Sequence, residues 1–187
     1  LELALAAGCE LTTERFVRVD GRQQTTIPGV YAVGELTGIG GVDLALAEGG
    51  LAGHYAAGAS GTNPSLERKR AVFSGFAQRI EAAHGIRGSW PAWLTESTIV
   101  CRCEEVSYGA LCSTARATES QSLRSLKLST RAGLGICQGR VCGRTVEELL
   151  AREAELPKLT DGTTSDRRPI AVPIRLGELA TPHQDHN

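Results

Sequence analysis

Six cysteines are the residues of this chain best able to do chemistry. Four of them fall into two tight pairs, Cys101-Arg102-Cys103 and Cys137-Gln138-Gly139-Arg140-Val141-Cys142, with positions 104–136 between them. A secreted disulfide framework spreads its cysteines over a short, loop-rich chain, so two close pairs point instead to a metal site. Four thiolates suit zinc or an iron–sulfur cluster. Structural zinc draws on C-x2-4-C knuckles. A C-x-C pair is too short for one, although residues i and i+2 of extended backbone do face the same side. A [2Fe–2S] cluster takes two thiolates on each of two irons. One short and one long pair fit that arrangement better than a single small tetrahedron; zinc, or a chance pairing of cysteines, is the alternative.

The neighbouring residues agree with a cluster. Gly133, Gly135, Gly139 and Gly143 flank the second pair, where close backbone approach and N–H groups aimed at sulfur are needed. Arg102, Arg140 and Arg144 are placed to offset the net negative charge of four thiolates and two sulfides on two ferric ions. Thr145-Val146-Glu147-Glu148 reads as a capping box opening a helix over 147–153, which sets Cys142 just before a helix N-terminus, where a thiolate is favoured. Cys9 stands alone. Cys112 lies in a short helix expected over 108–117 behind the N-cap Ser107. Both read as small buried hydrophobes.

The stretch Val100-Cys101-Arg102-Cys103-Glu104-Glu105-Val106, then Lys127, then Thr130 through Cys142, resembles the bacterioferritin-associated-ferredoxin-type [2Fe–2S] domain. In particular it resembles the version fused to the C-terminus of flavoprotein amine and amino-acid dehydrogenases. The resemblance covers about residues 97–152. It implies a small all-α domain with Cys101, Cys103, Cys137 and Cys142 as cluster ligands in loops, and helices are expected near 107–117 and 120–131 before the Gly-rich loop, with one after it.

The N-terminal third has its own pattern. Phe16-Val17-Arg18-Val19-Asp20 alternates like a strand and ends at Gly21, and the apolar run Val30–Val33 follows the turn signal Pro28-Gly29. Gly34 and Glu35 close that run. Gly38, Gly40 and Gly41 make a loop, and Val42-Asp43-Leu44 begins a helix. Strand, acid, glycine loop and helix is how a sheet offers polar groups to a nucleotide, though an ordinary strand–loop–helix connection has the same outline. Ile27 through Glu35 resembles the second FAD fingerprint of the pyridine-nucleotide–disulfide-oxidoreductase superfamily. The resemblance implies that Gly34 and Glu35 meet the ribityl chain and that Gly41, Val42 and Asp43 lie near the flavin. Glu35 departs from the usual Asp by one methylene, and the Gly-x-Gly-x-x-Gly loop for the FAD pyrophosphate is absent, so this chain alone is not expected to enclose FAD.

These elements sit in 187 residues with 41% hydrophobic and 22% charged side chains, no Met, and a net charge of -1. That composition excludes a wholly disordered chain, gives no basic excess for nucleic acid, and contains no run long enough to span a bilayer. The chain opens in a helical apolar pattern without an initiator or an export leader, and it reads as the C-terminal piece of a longer cytoplasmic protein. The expected architecture is an α/β fragment of an FAD-binding Rossmann-like domain (1–60), a helical linker (61–96) with an amphipathic helix over 66–84 and a Trp90–Trp93 anchor, the cluster domain (97–155), and an extended tail (156–187). That tail holds a proline-rich stretch at 168–174 and the histidines His183 and His186. Taken together, the resemblances imply the α-subunit of heteromeric FAD and [2Fe–2S] dehydrogenases, the group of opine oxidase, proline or D-hydroxyproline dehydrogenase and hydrogen cyanide synthase. Such a chain would relay electrons from amino- or imino-acid oxidation to an acceptor, beside a catalytic flavoprotein β-subunit and the remainder of its own FAD-binding subunit. A ferredoxin-like docking module or a structural zinc domain is the rival reading. No general base or nucleophile stands out, so no catalytic residue is assigned.

Overall fold

A computed structural model describes residues 1–157 and Leu159. The expected tail, with its proline-rich stretch and both histidines, falls outside the described residues except at Leu156, Pro157 and Leu159.

The N-terminal segment turns too often for a sheet to grow. Helix α1 (Glu2–Ala6) leads into three isolated antiparallel bridges, Leu11↔Val17, Val19↔Thr25 and Gln24↔Tyr31. Arg15, Gln23 and Gly29 adopt left-handed φ values of 66°, 66° and 76°, and the Asp20 carboxylate accepts the N–H groups of Arg22 and Gln24 at 2.8 and 2.9 Å. Each reversal interrupts a ladder after one pair. The strands expected over 16–20 and 30–33 are therefore single bridges, and residues 1–60 show no regular strand. Cys9, Val17 and Ala32 form the buried centre of this segment, with Leu1, Ala4, Leu11 and Leu36 packed around them.

Helix α2 (Gly41–Ala56) buries Leu44, Ala47, Glu48, Leu51 and Ala52, the i, i+3, i+4 stripe of a helix lying on one face. The Glu48 carboxylate is buried because it accepts the Gly34 N–H at 2.7 Å and the Thr37 hydroxyl at 3.3 Å, holding the turn Gly34–Leu36 against α2. Helix α3 (Pro64–His84) starts two residues before the sequence expectation. Asn63 caps it by accepting the Leu66 N–H at 3.2 Å, and Pro64 suits the first helical turn. A Cβ on Gly50 would come within 3.0 Å of the Leu66 methyls, so α2 and α3 approach closely there. Val72, Phe76 and Ile80 of α3 stay exposed.

The C-terminal part forms its own core. Strands β1 (Ile99–Cys101) and β2 (Val106–Ser107) pair antiparallel, and helices α4 (Tyr108–Ala117), α5 (Leu123–Thr130) and α6 (Gly143–Glu153) pack behind them. Leu111, Leu123, Leu126 and Leu150 are fully buried, each worth ~1.5–3 kcal/mol of transfer free energy. Leu159 joins this cluster, and Trp90 packs against it while Trp93 faces solvent, so only the first tryptophan anchors the linker. Two expectations need correction. The domain is not all-α, because a hairpin carries the first cysteine pair. Helix α6 begins at Gly143 with Cys142 as its N-cap, so Thr145 lies inside the helix rather than capping it; the tight turn that gives the Gly143 N–H to the Gly139 carbonyl at 2.7 Å launches the helix early. Helix α5 is shorter than expected, since Ser122 caps its start and Arg131 ends it in a left-handed conformation.

Candidate metal centre

The hairpin and the loop before α6 bring the two cysteine pairs together. Cys101 ends β1 with 1% of its surface exposed, and Cys103 projects from the turn that leads to β2. That turn closes through Glu105 at φ 54°. From the other side, residues 131–143 wrap in successive turns: the Gln138 N–H bonds the Gly135 carbonyl at 2.6 Å and the Arg140 N–H bonds the Cys137 carbonyl at 3.0 Å. Gln138 and Gly139 are consecutive left-handed residues, at φ 52° and 75°, which tips successive N–H groups inward as in an anion nest.

One member of each sequence pair meets one of the other. Cys137 lies beside Cys103, and the N–H of Val141 foremost, then Cys103 and the N–H groups of Gly139 and Arg140, hold its thiol below the usual range. Cys142 lies against Cys101 and senses Cys137; burial foremost, then the contact with Cys101, pushes it up to about 12. A cluster would take these sulfurs as thiolates.

The backbone is shaped to the sulfurs. Gly133, at φ +83°, aims its N–H at Cys101 Sγ, 3.4 Å away. A Cβ on Gly135 would stand 2.3 Å from Cys103 Cβ, so only glycine permits this approach. Four thiols, a backbone donor on sulfur and a side-chain-free wall fit a [2Fe–2S] cluster held by Cys101, Cys103, Cys137 and Cys142. Among the described residues, no three His, Cys, Asp or Glu side chains gather as a group for a single metal ion. A diiron cluster asks for only two protein ligands at each metal.

The arginines divide their work differently from the sequence expectation. Arg102 is exposed beside the thiols. Arg140 pairs with Glu2 at 2.8 Å while touching the Cys137 carbonyl at 3.4 Å, and Arg144 donates to the Arg15 carbonyl at 3.1 Å. Sequence reasoning missed the Arg131–Glu104 pair at 2.6 Å, which ties the ligand loop to the hairpin turn; Lys127, part of the resemblance, comes close to the loop, its Cε 3.1 Å from where a Cβ on Gly133 would stand. Cys9 and Cys112 sit in the two hydrophobic clusters, as their apolar surroundings implied.

The nucleotide candidates also converge. Gly34 and Glu35 open the turn at 34–36, and Gly41, Val42 and Asp43 form the first turn of α2. Glu35 Oε1 accepts the N–H groups of Gly40 and Gly41 at 3.3 and 2.8 Å, so its carboxylate caps α2. Glu48 and Thr37, which brace this end, escaped the sequence reading; a glutamate on the buried face of an Ala-rich helix was the available signal.

The hairpin, the three helices and the four thiols define a small iron–sulfur domain: residues 99–152 match the BFD-like [2Fe-2S] binding domain and are one. The chain, that stretch included, is 34% identical over 197 residues to an opine oxidase subunit of Rhizobium meliloti, in an alignment covering 97% of this chain and 37% of that protein. It is 30% identical over 135 residues to the hydrogen cyanide synthase subunit HcnB of Pseudomonas aeruginosa, covering 64% of this chain and 28% of the relative. It is also 38% identical over 73 residues to a subunit of the anaerobic glycerol-3-phosphate dehydrogenase of Escherichia coli K12, covering 37% and 13%. The chain thus spans little more than a third of the opine oxidase subunits it matches. No solved structure matches it. Among the described residues, no helix is long and apolar enough to cross a membrane.

Proposed function

We propose that this chain is the electron-transfer portion of an FAD and [2Fe–2S] oxidoreductase subunit that relays electrons from amino- or imino-acid oxidation to an acceptor. The observation that supports the reading is that Cys103 lies beside Cys137 and Cys101 beside Cys142, against a backbone shaped by Gly133 and Gly135. When bound, a [2Fe–2S] cluster accepts single electrons, which suits it to divide the pair that leaves a substrate as hydride. Cys101 and Cys142 keep water from the inner side, and Cys103 and Cys137 present the outer side to a partner. The Gly133 N–H stabilises negative charge on Cys101 sulfur.

The same reading gives Gly34, Glu35, Gly41, Val42 and Asp43 to FAD within the complete subunit. Its support is that they share one end of α2, and that a Cβ on Gly41 would meet nothing within 4 Å, leaving room over the helix end for a planar ring. Partners on this reading are a catalytic flavoprotein β-subunit, the rest of the FAD-binding subunit, and the acceptor; the names of the relatives, subunits of an oxidase, a synthase and a dehydrogenase, support it. The reducing cytoplasm is the compartment this reading assigns.

The test is spectroscopic and then kinetic. The purified subunit is expected to be reddish, with iron and sulfide at two each per chain and an EPR signal that emerges on reduction. A colourless protein with stoichiometric zinc overturns the reading. In the assembled complex, Cys137→Ser is expected to abolish acceptor reduction; undiminished turnover with intact assembly rejects the relay.

A further inference from the structure

Both ends of the ligand loop are tied to the N-terminal segment. Just before Cys142, Arg140 bridges inward and outward at once: its Nη1 donates to the Cys137 carbonyl at 3.4 Å and to Gln138 Oε1 at 2.9 Å, and its Nε meets Glu2 Oε1 at 2.8 Å. Just after Cys142, Glu147 of α6 accepts from Arg15 Nη1 at 2.7 Å, with the glutamate side chain only 8% exposed, and Arg144 donates to the Arg15 carbonyl at 3.1 Å. Glu2 and Arg15 belong to one small body. Leu1 and Ala4, beside Glu2 on α1, and Leu11 and Val17, which bracket the Arg15 turn, all pack on the Cys9–Val17–Ala32 cluster.

We propose that Glu2 and Arg15 are positioning residues for the metal centre, fixing the 137–142 loop and masking the Arg140 charge, so that the N-terminal segment sets the reduction potential of the cluster domain. The proposal rests on the electron-transfer reading above. Its physics is local electrostatics. A guanidinium in contact with the carbonyl of a ligand cysteine favours the reduced, more negative centre, and a carboxylate 2.8 Å away cancels most of that field. The Glu2 and Arg140 side chains are 26% and 43% exposed, so added salt weakens both effects.

Potentiometric EPR titration of the full-length subunit, in its complex, measures this directly. Glu2→Gln unmasks Arg140 and is expected to move the potential positive. Arg140→Gln leaves Glu2 uncompensated and is expected to move it negative. The double variant returns towards wild type, and the spread among the four narrows in high salt. A purely structural tie would weaken folding without this opposed pattern, so four coincident potentials with intact cluster spectra overturn the proposal. A second readout needs no cluster: in the metal-free protein, Arg15→Ala is expected to speed amide exchange at Gly139–Gly143, and unchanged exchange overturns the clamp. A wild type that shows no reduced-cluster signal at all sinks the iron–sulfur reading itself, a result distinct from either of these.

Discussion

Replacing Gly135 with alanine tests the ligand geometry with one methyl group. Gly135 is buried and its φ lies outside the left-handed region, so alanine suffers no backbone strain there and the effect is purely steric. The new Cβ would sit 2.3 Å from Cys103 Cβ and 3.2 Å from Glu104 Oε1. Carbon atoms settle at ~3.5–4.0 Å, so Cys103 must withdraw by more than ~1 Å, whereas metal ligands tolerate deviations of about 0.2 Å. Overpacking of this kind costs ~1–3 kcal/mol, roughly a 5- to 150-fold loss in cluster retention. Iron and acid-labile sulfide per chain, with the EPR signal of the reduced protein, read the outcome. Gly53→Ala serves as the control, because a Cβ there meets nothing within 4 Å in the last turn of α2 and iron content is expected to hold. If Gly135→Ala carries full iron and sulfide with an unaltered spectrum, the proposed wall beside Cys103 is wrong.

Three further outcomes follow from the packing and the charges. Arg116 pairs with Glu153 of α6 and, by that hydrogen bond foremost, holds the carboxyl below its usual range despite partial burial. A depressed glutamate stabilises the fold above the ordinary range and loses that contribution as pH falls through its folded value. Arg116→Ala is therefore expected to lower the urea midpoint at neutral pH and to match wild type only once the pH is well below the depressed folded value of Glu153; an equal deficit at both ends of the pH range refutes the linkage. Glu35→Ala removes the carboxylate from the start of α2 and is expected to destabilise by about 1 kcal/mol, with Glu35→Gln intermediate; thermal melts followed by circular dichroism would show identical curves if the cap is idle. Leu150→Ala, at a site with no exposed surface, is expected to lose ~2–5 kcal/mol, visible as a lowered urea midpoint.

The outline of the cluster domain was legible in the sequence because its information is local. Glycines beside the thiols and a cysteine at a helix start follow from short-range geometry, whereas Cys103 falls in the turn after β1 rather than on extended backbone with Cys101. Helix α4 also occupies the expected residues, since Ser107 and the Leu111, Cys112, Ala115 spacing mark its start and its buried face. The start of α6 was misread because Thr145-Val146-Glu147-Glu148 carries the chemistry of a capping box, while the actual start depends on a turn made by Gly139 four residues earlier. The bridges at residues 11–31 mimicked strands because alternation survives over two or three residues even where Arg15, Gln23 and Gly29 reverse the chain. The ties from Glu2 to Arg140 and from Arg15 to Glu147 join residues more than a hundred positions apart, and no spacing rule connects them.

The unequal depth of the four sulfurs has a chemical corollary for the metal-free chain. Cys101 and Cys142 are buried, while Cys103 is exposed and Cys137 half-buried. Oxidants and alkylating reagents therefore attack the rim first, and a disulfide between Cys103 and Cys137 would close the entrance with the inner thiols still reduced behind it. Air damage of this kind is reversible by a small thiol reductant, and it makes anaerobic handling, rather than refolding, the practical condition for restoring iron to protein that has lost it.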